Sequence, residues 1–392
     1  MLALKSSLAH RARCTYSNKK SPLVRNYSKQ AGQIKVELPK DYYKLHRLTD
    51  ELPKWSVVTR EELLDYYKEM NAMRRLEYAL DAMYKRRQIQ GFLHLYDGQE
   101  AIISGFDSVL TPEDSVITAY RDHPFMITRR CGGTLKEVFA ELMGRTSGCS
   151  RGKGGSMHLY KAKSNFYGGN GIVGAQVPLG TGLAFANKYK KNGRVAMIYM
   201  GDGAANQGQV YESFNMAYLW RLPAIYVVEN NLYGMGTPVP LASATSHFYT
   251  RGDYMSGILV DGTSVLSIRE VGKFAINYVN TKKRPLLIEV ETYRYHGHSI
   301  SDPGTSYRTR MEVQEYKEKF DCIHHLKSII INHKVATEEE ISAIEDQVGR
   351  DVKAAQEEAA NSPEPQPVEL FEHVYAEKVP IRAVERCESY KP

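Results

Sequence analysis

The chain has 392 residues, enough for two or three domains or one large α/β domain with extensions, and enough to bury a core without disulfide staples. Hydrophobic residues at 42% and charged residues at 25% exclude a wholly disordered or fibrous protein. Five cysteines without a CxxC pair argue against a secreted disulfide framework and a structural zinc site, and no apolar run reaches the ~18–20 residues of a membrane span. A soluble protein of a reducing compartment is expected, with no membrane insertion.

The charge is concentrated at the amino terminus. Residues 1–36 hold no Asp or Glu, while Lys5, Arg11, Arg13, Lys19, Lys20 and Arg25 fall within 1–27. That pattern reads as a mitochondrial transit peptide over 1–27, cut near Ser28 after Arg25-Asn26-Tyr27, which places the protein in the mitochondrial matrix. A disordered nucleic-acid-binding arm is the alternative. Removing six positive charges from +7 leaves +1, so the mature chain carries no basicity that calls for nucleic acid.

After an amino-terminal extension (28–58), Thr59 and Glu62 form a capping box. Leu63, Tyr67, Met70, Met73, Leu76, Leu80 and Met83 then recur at helical spacing, predicting a long amphipathic helix that ends near Gly91. A glycine-rich loop region from about 144 to 174 precedes a small-residue helix at about 177–189. A buried strand (195–200), a helix (about 207–220), a second buried strand (224–228) and an irregular loop follow. A further strand (286–293) leads into a loop over 296–310. Such strand–helix alternation with doubly apolar strands predicts an α/β fold, a parallel sheet covered by helices on both faces. Thr337 and Glu340 cap a late helix with Ile341, Ile344, Val348 and Val352 on one face. The main domain is therefore placed at 59–360, and the Pro-rich 361–392 is expected to be a docking tail.

Two strands end in polar, metal-capable sequence: GDGAAN (201–206) and ENNLYG (229–234). Asp202 and Asn231 are 29 residues apart, the length of one loop–helix–strand crossover, so both side chains should emerge at the same sheet edge. One carboxylate and one amide oxygen suit Mg²⁺ that is completed by phosphate oxygens and water. Gly203 and Ala204 leave the next helix's amides open to a phosphate. Two ordinary turn-rich loops are the alternative. From 142 to 201 there is no acidic residue against nine Lys or Arg, in glycine-rich sequence, which reads as an anion cradle or, more simply, as a solvated basic face. Gly169–Gly174 matches GxGxxG, but Asn165-Phe166-Tyr167 is not strand-like and no ribose-binding acid follows, which counts against a nicotinamide-dependent oxidoreductase. Gly148–Lys153 is one residue short of a P-loop.

The Asp202-Gly203 and Asn230-Asn231 pair belongs to the thiamine diphosphate motif. With GGNGIVGAQVPLG (168–180), GDGAANQGQ (201–209), ENNLYGMGT (229–237), RGKGGSMH (151–158) and YRYHGHSISDPGTSYRTR (293–310), the chain resembles the alpha subunits of mitochondrial pyruvate dehydrogenase from about Val36 to about Tyr375. The 295–303 loop reads differently in branched-chain 2-oxo acid relatives. The resemblance implies a thiamine diphosphate-binding fold and decarboxylation of pyruvate with reductive acetylation of lipoyl groups. It implies that Asp202, the Asn231 side chain and the Tyr233 carbonyl hold Mg²⁺. Tyr120, Arg121, Gly169, Gly171, Val173, Gly203, Ala204, Arg294 and His298 would contact thiamine diphosphate, and His94 and His298 would face the reacting carbon, as imidazolium where they stabilise the anionic substrate.

No carboxylic acid for the cofactor's pyrimidine half is found in this chain. The resemblance therefore implies a separate beta subunit in an α2β2 assembly, lipoyl domains of a dihydrolipoyl acetyltransferase as acceptors, and a regulatory kinase and phosphatase acting at Ser299 and Ser306. Asp122 and Pro124 depart from the family's small residue and glycine, and a carboxylate beside Arg121 is expected to weaken its hold on the diphosphate. Leu232 replaces a commonly basic residue, and Pro238 stands where animal relatives have a regulatory serine. A catalytically silent alpha-like subunit is the reading that Asp122 and Pro124 would support.

Overall fold

Alternate residues of the central strands enter two different cores. In the strand Ala196–Gly201, Met197 and Tyr199 pack on one side of the sheet, while Ala196, Ile198 and Met200 pack on the other. Ala224–Asn230 repeats the pattern, with Ile225 and Val227 on one side and Ala224, Tyr226 and Val228 on the other. A strand buried on both faces must be apolar throughout, which is why these segments read as continuous hydrophobic runs. The computed structural model describes residues 32–375. The leader 1–27, its expected cleavage near Ser28 and the tail beyond Tyr375 lie outside the described residues.

The main sheet has six strands in the order Tyr43–His46, Ser256–Asp261, Leu286–Glu291, Ala224–Asn230, Ala196–Gly201 and Ser115–Ile117. All neighbours are parallel except Tyr43–His46, which pairs antiparallel at the edge. Helices Arg60–Lys85, Glu100–Asp107, Val265–Lys282 and Glu338–Ala360 contribute to the larger core, and helices Gln176–Lys190 and Gly208–Leu219 to the smaller. The expected α/β class, with a mostly parallel sheet between helical layers, is what forms.

Several details differ from the sequence reading. The first long helix ends at Lys85, short of Gly91. Its stop is a Schellman turn: the Arg87 amide donates to the Tyr84 carbonyl and the Gln88 amide to the Met83 carbonyl, with Arg87 at φ +61°. Arginine in the position that usually holds glycine concealed the signal. The segment 28–58 supplies the edge strand Tyr43–His46, and a separate strand pair, Ile34–Glu37 with Trp55–Val58, also lies within it. The strand Ala224–Asn230 runs two residues past Val228, so Glu229 and Asn230 are buried strand residues. Phe166 forms an isolated parallel bridge to Val116, with the Tyr167 amide donating to the Val116 carbonyl, so 165–168 runs beside the sheet edge without forming a strand, as the sequence reading has it. The described part of the tail lies against the glycine-rich loop: the Thr146 amide donates to the Pro363 carbonyl, and Arg151 pairs with Glu369 at 2.7 Å.

The helix Gln176–Lys190 approaches the sheet through Gly180, where an added Cβ would lie 2.4 Å from Ile198 Cγ1. Gly182, two residues on, has nothing within 4 Å of such an atom. Gly180→Ala is therefore expected to lower the unfolding free energy of the isolated chain by about 1–3 kcal/mol through overpacking. Gly182→Ala is expected to raise it by up to about 1 kcal/mol through helix propensity. Urea titration of the two variants checks the pair.

Candidate active site

Three adjacent parallel strands deliver the polar residues to one edge. Asp202 follows Gly201, Asn231 follows Asn230, and Arg294 lies three residues beyond Glu291 on the next strand. The register pairs Gly201 with Glu229 and Asn230 with Glu291, so the expected convergence of Asp202 and Asn231 occurs. Gly203 and Gly234 meet across the site: a Cβ on either would lie 3.2 Å from the other's Cα. Leu232, at φ +72°, turns the chain so that the Tyr233 carbonyl accepts a hydrogen bond from Arg294 Nη2 at 3.1 Å.

Asp202 is buried. Desolvation raises its carboxyl pKa, against the Arg294 charge and the backbone amides of Asp202, Asn231 and Gly203. The Asn231 amide nitrogen donates to Gln99 Oε1 at 3.1 Å, which leaves its oxygen for another partner. Gln99, absent from the sequence reading, thus orients the amide; its own Nε2 is buried without a partner. No local pattern marks Gln99, because its role depends on a contact across 132 residues.

Arg294 is 1% exposed, and its Nε and Nη1 have no hydrogen-bond partner. Burial and then Arg121 push its pKa down to about 10. A buried guanidinium with idle donors beside a second guanidinium is costly unless an anion joins them. The donor set fits a diphosphate on Arg294, and a hard cation on Asp202 and the Asn231 oxygen.

His94 and His298 face each other with ring centroids 5.3 Å apart at 86°. Tyr120 stands against both, 4.5 Å from His94 and 5.6 Å from His298. Burial, with the Arg121 charge next, pushes His94 down to about 2 and His298 down to about 3. In this chain both shifts favour the neutral imidazole near pH 7. The positive charge of the site comes from arginine.

Arg121 has two backbone partners of its own. Its Nη1 donates to the Leu95 carbonyl at 2.7 Å and Nη2 to the His298 carbonyl at 2.6 Å, so it clamps together the two segments that carry the histidines. Asp122 does not face it. The Asp122 Oδ2 accepts the Leu159 amide at 2.8 Å, and burial raises this carboxyl to about 7. A Cβ on Gly169 would lie 2.1 Å from the same oxygen, so Gly169 is glycine to admit Asp122. The expected weakening of Arg121 by Asp122 thus has no geometric basis, and Pro124 sits in the first turn of the helix His123–Met126.

The anion cradle expected over 142–201 is partly filled by the chain itself. Glu141, one residue before the acid-free stretch, accepts the Ser150, Gly152 and Gly154 amides at 2.8, 3.0 and 2.6 Å. The incomplete P-loop therefore wraps an internal carboxylate. Gly171 and Val173 lie on a loop at the rim; the Val173 carbonyl accepts Gln207 Nε2 at 3.0 Å, and Val173 is exposed. Ala204 is buried in the turn after Gly203.

The profile described as "Dehydrogenase E1 component" matches residues 40–368. The chain belongs to the dehydrogenase E1 component family. Among its relatives, the mitochondrial pyruvate dehydrogenase E1 component subunit alpha of Dictyostelium discoideum is 48% identical over 370 residues, covering 94% of this chain and 96% of that protein. The subunit of the same name from Sminthopsis macroura is 50% identical, covering 88% of this chain and 95% of its own. The one from Solanum tuberosum is 52% identical over 84% of each.

Within this E1 component chain, the depressed histidines carry a stability signature. Their unfolded pKa is near 6.5. Below that pH the unfolded chain takes up protons that folded His94 and His298 refuse, so stability is lost as pH falls from about 6.5. Melting temperatures measured from pH 7.5 to 5 should fall less steeply for His298→Gln than for the parent chain.

Proposed function

We propose that this chain is the diphosphate-side alpha subunit of a pyruvate dehydrogenase of the mitochondrial matrix, reached by a leader over 1–27 that is cut near Ser28. The observation that carries the reading is the buried Arg294, with two unpartnered donors, at the strand ends beside Asp202 and Asn231. The names and coverage of the relatives support the substrate. The main domain spans 59–360, with the strand Tyr43–His46 of the preceding segment completing its sheet and 361–392 as a docking tail.

In this reading Asp202, the Asn231 oxygen and the Tyr233 carbonyl hold Mg²⁺. Arg294, with Tyr120, Arg121, Gly169, Gly171, Val173, Gly203 and Ala204, surrounds thiamine diphosphate. When bound, the cofactor supplies a carbanion equivalent and an electron sink for decarboxylation. The chain's own residues do the rest. Arg294 offers its idle donors to the diphosphate, and the Arg121 charge draws the pyruvate carboxylate into the pocket. Neutral His94 and His298 each present a ring N–H to the keto oxygen without an added charge. Tyr120 and the buried walls exclude water from the two rings.

The pyrimidine half and its carboxylic acid come from a beta subunit in an α2β2 assembly, and the acetyl acceptor is a lipoyl domain of a dihydrolipoyl acetyltransferase. Asp122, turned away from Arg121, lends no support to a silent alpha-like subunit.

The isolated chain is expected to show no turnover, and pyruvate decarboxylation is expected to appear on adding the beta subunit, Mg²⁺ and thiamine diphosphate. Appreciable activity without the partner would sink this assignment. Asp202→Ala should abolish Mg²⁺-dependent cofactor binding by calorimetry while the chain still assembles.

Control is proposed at Ser299 and Ser306, through a kinase and a phosphatase. Ser299 is 8% exposed, and its hydroxyl lies 2.8 Å from that of Ser301, so a phosphate there must displace the loop; Ser306 is exposed. Arg308 has no free fork to receive it, since it donates to the Arg294, Tyr295 and His296 carbonyls. A phosphate of about −1.5 to −2 charges beside His298 repels both anions of the site. Stoichiometric phosphorylation of Ser299 should nearly silence turnover, that of Ser306 should reduce it less, and Pro238 removes a third site. Comparison of the kinase-treated complex with its Ser299→Ala variant decides the matter.

A further inference from the structure

His296 and Asp97 are close neighbours in sequence of the two facing histidines. Asp97 comes three residues after His94, and His296 two residues before His298. His296 Nδ1 is 2.8 Å from Asp97 Oδ2, and the Tyr295 amide donates to the Asp97 carbonyl at 3.2 Å. The Ile300 amide donates to the Leu93 carbonyl at 3.0 Å, and Arg121 spans Leu95 and His298. The 93–97 and 295–300 segments are thus stitched side by side, and His296–Asp97 is the one side-chain pair that joins them directly among these bonds.

Asp97 is 1% exposed on its side chain, whereas that of His296 is 32% exposed, so a buried carboxylate receives its hydrogen bond from a group that solvent can reach. The Asp97 Oδ1 has no partner. From the helix Arg60–Lys85, Tyr78 stands edge-on to the ring and Asp81, itself bound by Lys85 at 2.6 Å, adds negative charge. From the helix Arg310–Phe320, Lys317 opposes it. Arg308 holds the His296 carbonyl on the loop's own side.

We infer that His296 and Asp97 are a positioning pair: they hold the loop that carries His298 in register with the segment that carries His94. Neither touches the reacting atoms. The pair sets the distance between the two imidazoles, on which any proton handling at one substrate oxygen depends. Losing the bond removes the side-chain tie at the loop's first turn and leaves backbone bonds, Arg121 on the His298 carbonyl, Arg308 on the His296 carbonyl and Asp302 on the His298 amide to hold the ring's direction. The inference rests on the functional reading only in naming His94 and His298 as the reacting groups; the mechanical role stands on the hydrogen bonds.

Burial by itself would lower the His296 pKa, but the Asp97 hydrogen bond and charge, with Asp81, outweigh it and raise the value. The charged pair is therefore at full strength below about pH 6.5 and weakens as pH rises through the folded value.

The test uses the full chain and the variants Asp97→Asn, His296→Ala and His296→Asn. Hydrogen exchange at the His298, Ile300 and Asp302 amides is measured from pH 6 to 8 and corrected for intrinsic rates. The first two variants should lose roughly tenfold in protection at pH 6, the scale of a charge-assisted hydrogen bond, with the melting temperature lowered by no more than about 1–2 °C. Protection in the parent should decline with pH, and that decline should vanish in Asp97→Asn. His296→Asn, which keeps a donor, should recover part of the protection without the pH dependence.

In the complex with the beta subunit, thiamine diphosphate and Mg²⁺, kcat should fall roughly 10- to 100-fold in His296→Ala while KM for pyruvate changes little. Unchanged loop exchange, or a loss matched by a lower melting temperature throughout the chain, would overturn the pair's role. A parent complex inert toward pyruvate would instead sink the functional reading, and the exchange data would still decide the pair.

Discussion

Arg121 donates to the carbonyls of Leu95 and His298, and these two bonds close the site. Each carbonyl belongs to a segment that carries a histidine, so one guanidinium ties the two segments together. A second guanidinium, Arg294, is buried nearby with a single bond to the Tyr233 carbonyl. Among the described residues neither is in an ion pair with a carboxylate. Two such charges in a dry site cost free energy that backbone dipoles offset only in part. The site is built to be completed by an anion, and its spare donors point to what kind.

Burial first, and these two charges after it, hold the histidines toward their neutral form. A buried imidazole close to fixed positive charge does not gain a proton near pH 7, so His94 and His298 are neutral until a ligand changes the field. In the proposed reading the labour is divided: arginines supply charge, and neutral imidazoles supply ring donors and acceptors. Asp202 is the complementary case, a buried carboxyl raised by desolvation that gains most from a cation.

The glycine-rich region serves three purposes that its composition does not separate. The Gly148–Gly154 turn wraps Glu141, Gly168 and Gly169 make room for Tyr160 and Asp122, and Gly171–Gly174 forms an open rim beside Gln207. Backbone amides bind a carboxylate and a phosphate by the same physics, so an acid-free, glycine-rich stretch signals an anion without saying whose. Here one of the anions is a side chain of the same protein.

The sequence by itself determined the central architecture and the residue types of the site. Doubly apolar strands admit only a covered parallel sheet, and polar residues placed directly after two such strands must emerge at one edge. Helix starts at Thr59 and Thr337 were legible because a capping box is a local hydrogen-bond pattern. What depends on distant partners was not legible. The helix stop at Lys85 uses arginine where glycine is usual, and the edge strand Tyr43–His46 exists only because Ser256–Asp261 offers a free ladder. Gln99 acquires its role from Asn231, and Asp122 faces Leu159 rather than its neighbour in sequence, Arg121. The charge state of the histidines came last, since burial and the field of two arginines are properties of the folded chain: sequence names the groups that can titrate, and only their three-dimensional surroundings set where they do.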